Sequence, residues 1–441
     1  MENKWSNELL DRMRETGDPE ADKVAAILWK NRNNKNIVED LRMISRDHHL
    51  KTHENIQNIG LHSGLSDNEV ETIAGYFESV ENISKNFNSK DYEYFNTSAE
   101  LFRRYGFNIT LLLFFKSLPT GYMCPKPGHV LESTKLLEDF AARRVMETAQ
   151  FVFAVNTANW YEPHSAGMNA IQRVRLMHAG MRMALLNDNR PGREWNPELG
   201  VPINQEDLAL TNHLFSLAII EGLDQMGIHL FDNERHAIFH TWQKIGHAMG
   251  IGEELIADDY EEGWNQYTTI LERQISENNP AGSPLTHALL SAMNEITHED
   301  IPMKALEDLT YYFLNDRRAI PSLGLHPPSI FERFFIIGIQ YIMSLKLWKR
   351  MFHHNRSGVF NNAFRRAVNG FLVKKYQLHP YMRAHKGVNP LEAFSKVMLN
   401  ELHKRDLTNF EKSNQEDIQK KFLLDDELYM AWDLGGFELT K

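Results

Sequence analysis

The sequence contains almost no cysteine, no excess of basic residues and no long apolar run. Its 441 residues include one cysteine, Cys124, which excludes an internal disulfide and any zinc or iron–sulfur site built from several cysteines of this chain. Lysine and arginine number 48 against 59 acidic residues, and the net charge is −11. Proteins that bind nucleic acid usually carry a basic excess. We therefore expect no nucleic-acid partner.

The apolar runs are too short to span a membrane. The longest one covers residues 109–115 and includes Thr110, and the run at 334–345 is broken by Gln340. A membrane-spanning helix needs about 18 or more apolar residues in succession. The first eight residues are polar and carry acidic side chains, unlike the apolar segment of a signal peptide. These features predict a soluble, cytoplasmic protein without a transmembrane segment.

Strand signals are absent, and helical periodicity takes their place. No sustained alternation of apolar and polar residues ends in a tight-turn dipeptide. The apolar fraction of 42% is enough to bury a large core. The sequence therefore predicts an all-α fold. Apolar residues recur at helical spacing over 170–186, 204–226, 235–249 and 306–314.

The breaker residues suggest one large helical domain with additions at both ends. Proline and glycine at 119–121 and 125–128 are expected to separate helices, and the polar stretch 80–98 is expected to form a surface loop. No breaker segment is long enough to be a linker between domains. We predict an N-terminal helical embellishment over 1–100, a core domain over 101–390 and a charged C-terminal extension over 391–441.

The helix predicted over 170–186 carries a single histidine among apolar residues. Arg175 and Arg182 lie three residues before and four residues after His178, so the three side chains share a face. An imidazole can ligate a haem iron while guanidinium groups neutralise the haem propionates. The ordinary alternative is a satisfied core histidine with two surface arginines.

A second group of candidate residues lies in the preceding helix. Arg144 and Thr148 are four residues apart and project from one face. A cationic donor beside a hydroxyl can polarise a bound dioxygen or orient a water. Glu147 lies about 100° around the same helix and is a candidate proton acceptor. The alternative for each residue is an ordinary solvated side chain.

The segment 200–209 has the features of a helix start. Asn204 can act as the N-cap, and Glu206 and Asp207 suit the positive end of the helix dipole. Nothing in this segment requires a catalytic role.

Taken together in their order along the chain, these motifs resemble the latex-clearing-protein (rubber oxygenase) family. The resemblance implies a helical fold around a globin-like core that holds a b-type haem. It is carried by Arg144-x-x-x-Thr148, Arg175-Leu-Met-His178-Ala-x-x-Arg182 and Gly200-x-Pro-Ile-Asn-Gln-Glu-Asp-Leu-Ala209, with weaker support from Gly17-Asp-Pro-x-Ala-Asp22 and Trp242-x-x-x-Gly246-x-x-x-Gly250.

The resemblance also implies a role for individual residues. His178 would be the proximal ligand of the haem iron, and Arg175 and Arg182 would be the partners of the propionates. Arg144 and Thr148 would be distal residues near bound oxygen.

One distal position departs from the family pattern. Glu147 stands where rubber-cleaving members have a lysine directly before the threonine. The family also places a glutamate, proposed as a base, upstream in the distal pocket. Glu132, Glu138 and Glu147 are the candidates for this position here.

The expected function is a haem-b-dependent oxygenase that cleaves or oxygenates an unsaturated, apolar, isoprenoid-like molecule with O₂. Three alternatives remain open. One is a non-catalytic, globin-like haem protein for sensing or carriage, and another is a haem peroxidase. The last is a helical scaffold without haem. The sequence leaves the oligomeric state undetermined.

Overall fold

The computed structural model describes residues 4–133, 148–149, 151–189, 194–296, 303–317 and 319–328. The described residues form helices joined by short connections and contain no β-strand, which confirms the all-α prediction. None of the helices in this part of the chain is long and apolar enough to cross a bilayer. Arg144, Glu147 and the predicted extension 391–441 lie outside the described residues.

The described part of the chain before residue 134 is a series of helices. The helix Ser89–Leu112 continues into a π-helical segment at Leu113–Ser117. The helices are α1 (Asn7–Arg14), α2 (Pro19–Lys30), α3 (Lys35–Arg46), α4 (His53–Ser63), α5 (Asp67–Asn82), α6 (Ser89–Leu112), α7 (Leu118–Tyr122) and α8 (Pro125–Ser133).

The described part of the chain after residue 147 is also helical. Residues 151–155 are helical, and seven further helices follow within the described ranges. These are α9 (Ala166–Leu186), α10 (Gln205–Phe215), α11 (Leu217–Gln225), α12 (Asp232–Ala248), α13 (Tyr260–Gln274), α14 (Gly282–Ile296) and α15 (Met303–Phe313).

Two long packing contacts organise the molecule. Helix α6 packs along α12, and α9 packs along α2. A continuous apolar core extends from Trp5 in the N-terminal segment to Leu325, so α1 to α5 contribute to the same core as the later helices. The predicted division of the chain at residues 101 and 391 remains a prediction.

The prediction of a surface loop over 80–98 was wrong. Helix α5 continues to Asn82, and α6 begins at Ser89. Asn88 and Asp91 form a capping box, in which each side chain accepts a hydrogen bond from the backbone N–H of the other residue. This reciprocal cap makes a polar segment a favourable helix start.

Two other local predictions also differ from the structure. Pro119 lies inside α7, directly after the π-helical segment, and Pro125 is the first residue of α8, where a missing N–H costs little, so both stretches lie within helices. The single helix predicted over 204–226 is divided at Ser216, which has φ −116° and ψ −78°. The Ser216 hydroxyl donates to the backbone oxygen of Asn212 at 3.0 Å, a bond that competes with the regular helical pattern.

Candidate functional site

A largely apolar cavity of about 290 Å³ lies where α7, α8, α9 and α10 meet. Its volume is close to the lower end of the range for small-molecule and cofactor sites. Trp242, Met249 and Ile251 also line the cavity. The apolar side chains that line the remainder are Leu118, Pro127, Val130, Leu131, Phe151, Val174, Met177, Met181, Ile203, Leu208, Leu210, Leu214 and Phe215.

Helix α9 presents one stripe of side chains to this cavity. Val174, Met177, His178 and Met181 follow one another at steps of three, one and three residues and all line the wall. His178 is partly exposed, whereas most of α9 is buried. Thr148, from a separate segment of the chain, lines the same cavity. The structure therefore brings together two of the residues that the sequence singled out.

Arg175 lies one turn before His178 and points toward the N-terminal segment. Its Nε donates to Oδ2 of Asp18 at 2.6 Å, and its Nη2 donates to Oδ1 of the same carboxylate at 2.9 Å. The Glu20 carboxylate accepts from Nη2 at 3.1 Å, and the Ala248 carbonyl accepts from Nη1 at 3.3 Å. Burial is the largest single influence and opposes the charge, but the hydrogen bonds to Asp18 together with the nearby Tyr76, Asp18 and Glu20 raise the pKa of Arg175.

Arg182 makes a matching set of contacts one turn after His178. Its Nε donates to the Pro202 carbonyl at 3.0 Å, and its Nη2 donates to the Ile203 carbonyl at 2.8 Å. Its Nη1 binds the Asp22 carboxylate. Ile203 has φ +53°, which is rare for a β-branched residue and strained. The strained residue lies in the cavity wall and also supplies an acceptor to Arg182.

The two arginines stand at the edge of the cavity-lining face and do not line it. At about 100° per residue, Arg175 and Arg182 lie roughly a quarter-turn around α9 from the centre of the cavity stripe. Their guanidinium groups bind the Asp18 and Asp22 carboxylates of the N-terminal segment. The assignment of both arginines to haem propionates therefore remains a prediction. In this structure they attach α9 to the start of α2.

Two glycines allow the backbone to approach these ion pairs closely. Gly250 has φ +88°, and a Cβ there would collide with the Asp18 carboxylate and lie 2.6 Å from Nε of Arg175. A Cβ on Gly17 would lie 2.8 Å from Nε of Arg182. The glycines of two weaker motifs therefore have a common reason, which is space beside a buried arginine.

Asp207 is the functional candidate that the sequence reasoning passed over. It lines the cavity and is 5% exposed. Arg14 and Gln274 each donate to its Oδ1 at 3.2 Å, and the Asn204 side chain donates to Oδ2 at 3.0 Å. Burial raises its pKa to about 6, although Arg14 acts in the opposite direction. In sequence it resembles an ordinary acidic residue of a helix first turn, so only the tertiary structure identifies it.

The residues of the cavity wall are of the kinds that a haem requires, namely a candidate iron ligand and apolar surroundings. His178 is an imidazole in a wall made mostly of aliphatic and aromatic side chains, which suits an iron ligand beside a porphyrin. Glycines 121 and 128 also line the wall and keep it close to the backbone. Glu132, a candidate base, lies outside the wall and is 3.5 Å from Nδ1 of His129. Glu138, like Arg144 and Glu147, lies outside the described residues.

The fold and the site define a helical protein with an apolar cavity and an imidazole in its wall, and comparison with known proteins gives the family. Residues 103–335, more than half of the chain, match the family described as "ER-bound oxygenase mpaB/B'/Rubber oxygenase, catalytic domain". The chain belongs to this family.

Two individual proteins are similar to the chain. The rubber oxygenase of Streptomyces sp. (strain K30) is 26% identical over 156 residues, which are 35% of this chain and 37% of that protein. The match therefore spans little more than a third of the length of that relative. A solved structure of the latex clearing protein LCP in the closed state shares the fold, with a TM-score of 0.58 and 19% identity over 76% of this chain and 84% of LCP.

Proposed function

We propose that this chain is a haem-dependent oxygenase whose substrate is an unsaturated, apolar, isoprenoid-like molecule. Its reaction would cleave a carbon–carbon double bond with O₂, and each carbon of the bond would receive one oxygen atom as a carbonyl. The observation that carries the proposal is the placement of His178 and Thr148 in the wall of one apolar cavity. Membership of an oxygenase family supports it.

The residues of the chain would contribute binding, orientation and exclusion of water. His178 would hold the haem iron, and the haem would supply the activation of O₂. The apolar wall favours a hydrocarbon chain over water because burial of apolar surface contributes about 25 cal/mol per Å². Exclusion of water also strengthens each remaining polar contact in the cavity. Thr148 would place a hydroxyl donor within this dry site.

The reaction can be tested by oxygen consumption and product analysis. We expect the haem-loaded protein to consume O₂ with dispersed farnesol or with a cis-polyisoprene emulsion and to release products with carbonyl ends. Thr148→Val keeps the side-chain shape and removes the hydroxyl, and it is expected to lower kcat/KM by about 10²-fold while the haem spectrum is retained.

Two results would contradict the proposed reaction. Stoichiometric haem binding without O₂ consumption on any unsaturated substrate would favour a carrier or sensor. Turnover that depends on H₂O₂ in place of O₂ would indicate a peroxidase. Thr148→Ser, which keeps the hydroxyl, is the control and is expected to retain most of the activity.

A further inference from the structure

A carboxylate is an unusual group in the wall of an otherwise apolar cavity. Asp207 is the one acidic residue among the described residues that line it. A buried ionised group costs free energy unless it is paired and hydrogen-bonded. If the ligand were a pure hydrocarbon, its binding would remove water from this carboxylate without replacing a hydrogen bond. The wall is therefore better suited to a ligand with a polar end.

The hydrogen bonds of Asp207 leave room for another donor. A carboxylate offers about four acceptor positions. Arg14, Gln274 and Asn204 donate three side-chain hydrogen bonds to it, at 3.2, 3.2 and 3.0 Å. These bonds fix the orientation of the carboxylate and do not use its full capacity.

Arg14 neutralises Asp207 only in part. The same Nη1 atom is 2.9 Å from Oε2 of Glu206 and 3.2 Å from Oδ1 of Asp207. Glu206 is also bound by Arg273 at 2.8 Å and does not line the cavity. Asp207 is therefore the more weakly paired of two adjacent acids, and it is the one that borders the cavity.

Thr211 extends the polar strip along α10. It lies four residues after Asp207, on the same side of the helix, and also lines the cavity. Its hydroxyl donates to the Asp207 carbonyl at 2.7 Å, so its oxygen lone pairs stay available as acceptors. The two residues place acceptor oxygens together on α10, in the wall of a cavity that is lined mostly by apolar side chains.

We propose that Asp207 and Thr211 form a polar subsite that binds the hydroxyl end of an otherwise apolar, isoprenoid-like ligand. This inference rests on the proposed function for the apolar part of the ligand and adds a polar end to it. It predicts that a prenyl alcohol is a better ligand than a hydrocarbon of the same length. A hydrogen bond to an ionised acceptor is roughly twice as strong as a neutral one, so the difference should be measurable.

The test compares farnesol with its deoxy analogue, in which a methyl group replaces the hydroxymethyl group. Equilibrium dialysis of the full chain with tritiated ligands is expected to show at least about tenfold tighter binding of the alcohol. Asp207→Asn is expected to lower this preference about fivefold, because a neutral amide replaces the charged acceptor. Thr211→Val, which leaves Arg14 untouched, is expected to lower it about twofold.

Glu198→Gln is the control. It changes an exposed acid outside the cavity wall and leaves Arg14 and Asp207 untouched, so it should keep the wild-type preference. Equal affinity of the two ligands for the wild type, or an unchanged preference in both Asp207→Asn and Thr211→Val, would overturn the inference. The test measures binding and not turnover. O₂ consumption without a preference for the alcohol would therefore contradict the subsite and leave the proposed reaction standing. A preference for the alcohol without O₂ consumption would contradict the proposed reaction and leave the subsite standing.

Discussion

Replacement of Asp18 with asparagine is expected to lower the free energy of unfolding by about 3 kcal/mol. Arg175 and Asp18 are 6% and 2% exposed, and Asp18 binds two guanidinium nitrogens. Removal of one member of a buried ion pair leaves the other charge buried without compensation, which costs about 3–5 kcal/mol. We expect the lower figure because Glu20 still contacts Arg175 at 3.1 Å. Urea denaturation measures the change.

The substitution is well suited to isolate the charge. Asparagine is as good an N-cap as aspartate, so the cap of α2 at Ala21 is retained. Glu20→Gln is the matched control, since the Glu20 side chain is 53% exposed, and it should cost less than about 1 kcal/mol. The double variant Asp18→Asn, Arg175→Met should recover part of the loss because it removes the buried charge. Equal effects of Asp18→Asn and Glu20→Gln would contradict the account.

The second large effect concerns pH. His213 is fully buried, with Nε2 2.7 Å from Oε1 of Gln266 and its ring near Phe239. Burial lowers its pKa to about 4, below the ordinary value of 6.5. Between these values the unfolded chain binds a proton that the folded chain does not, so stability is lost as pH falls from 6.5 toward 4. At about 1.36 kcal/mol per unit, the loss is roughly 3 kcal/mol.

His213→Gln should remove this acid-side loss. Glutamine stays neutral at every pH. Between pH 7 and pH 4 the variant should therefore lose roughly 3 kcal/mol less unfolding free energy than the wild type. Urea midpoints measured across this range give the slope. His62→Gln, at an exposed position on α4, should leave the wild-type pH dependence unchanged. A His213→Gln slope equal to that of the wild type would show that His213 titrates normally.

The sequence predicts the fold class and the helices well because their apolar periodicity is strong. The helix predicted over 170–186 extends over Ala166–Leu186, and the one predicted over 235–249 extends over Asp232–Ala248. The errors occur where a polar side chain caps a helix or interrupts its hydrogen bonds, as at Asn88 and Ser216. Such side chains are common in both loops and helix ends, so composition alone does not distinguish the two.

The sequence predicts the candidate site only in part. Helical spacing predicts that His178, Arg175 and Arg182 share a face of α9. In the structure His178 lines the cavity, whereas both arginines lie about a quarter-turn around the helix from the centre of the lining side chains. The partners of those arginines, Asp18 and Asp22, are more than 150 residues away in sequence, at separations of 157 and 160. No local pattern contains that pairing. The motif Gly17-Asp-Pro-x-Ala-Asp22 contains both acids, but only the folded chain shows that they bind Arg175 and Arg182.

Asp207 shows why a well-formed cap can conceal a second role. It lies in the first turn of α10, where the helix dipole favours a negative side chain, and this is a sufficient local reason for an acidic residue. Only the packing of α1 and α13 against this turn buries the carboxyl beside the cavity. The same residue therefore satisfies a local rule and creates a buried charge in an apolar wall.

The measurement that tests the central claim most directly is the visible absorption spectrum of the wild type and of His178→Ala during titration with hemin. The account predicts a Soret band that saturates at one haem per chain in the wild type and is lost or shifted in His178→Ala, because the proposed function assigns the iron ligand to this imidazole in the cavity wall. A wild type that takes up no hemin, or a variant with the same spectrum and affinity as the wild type, would contradict it.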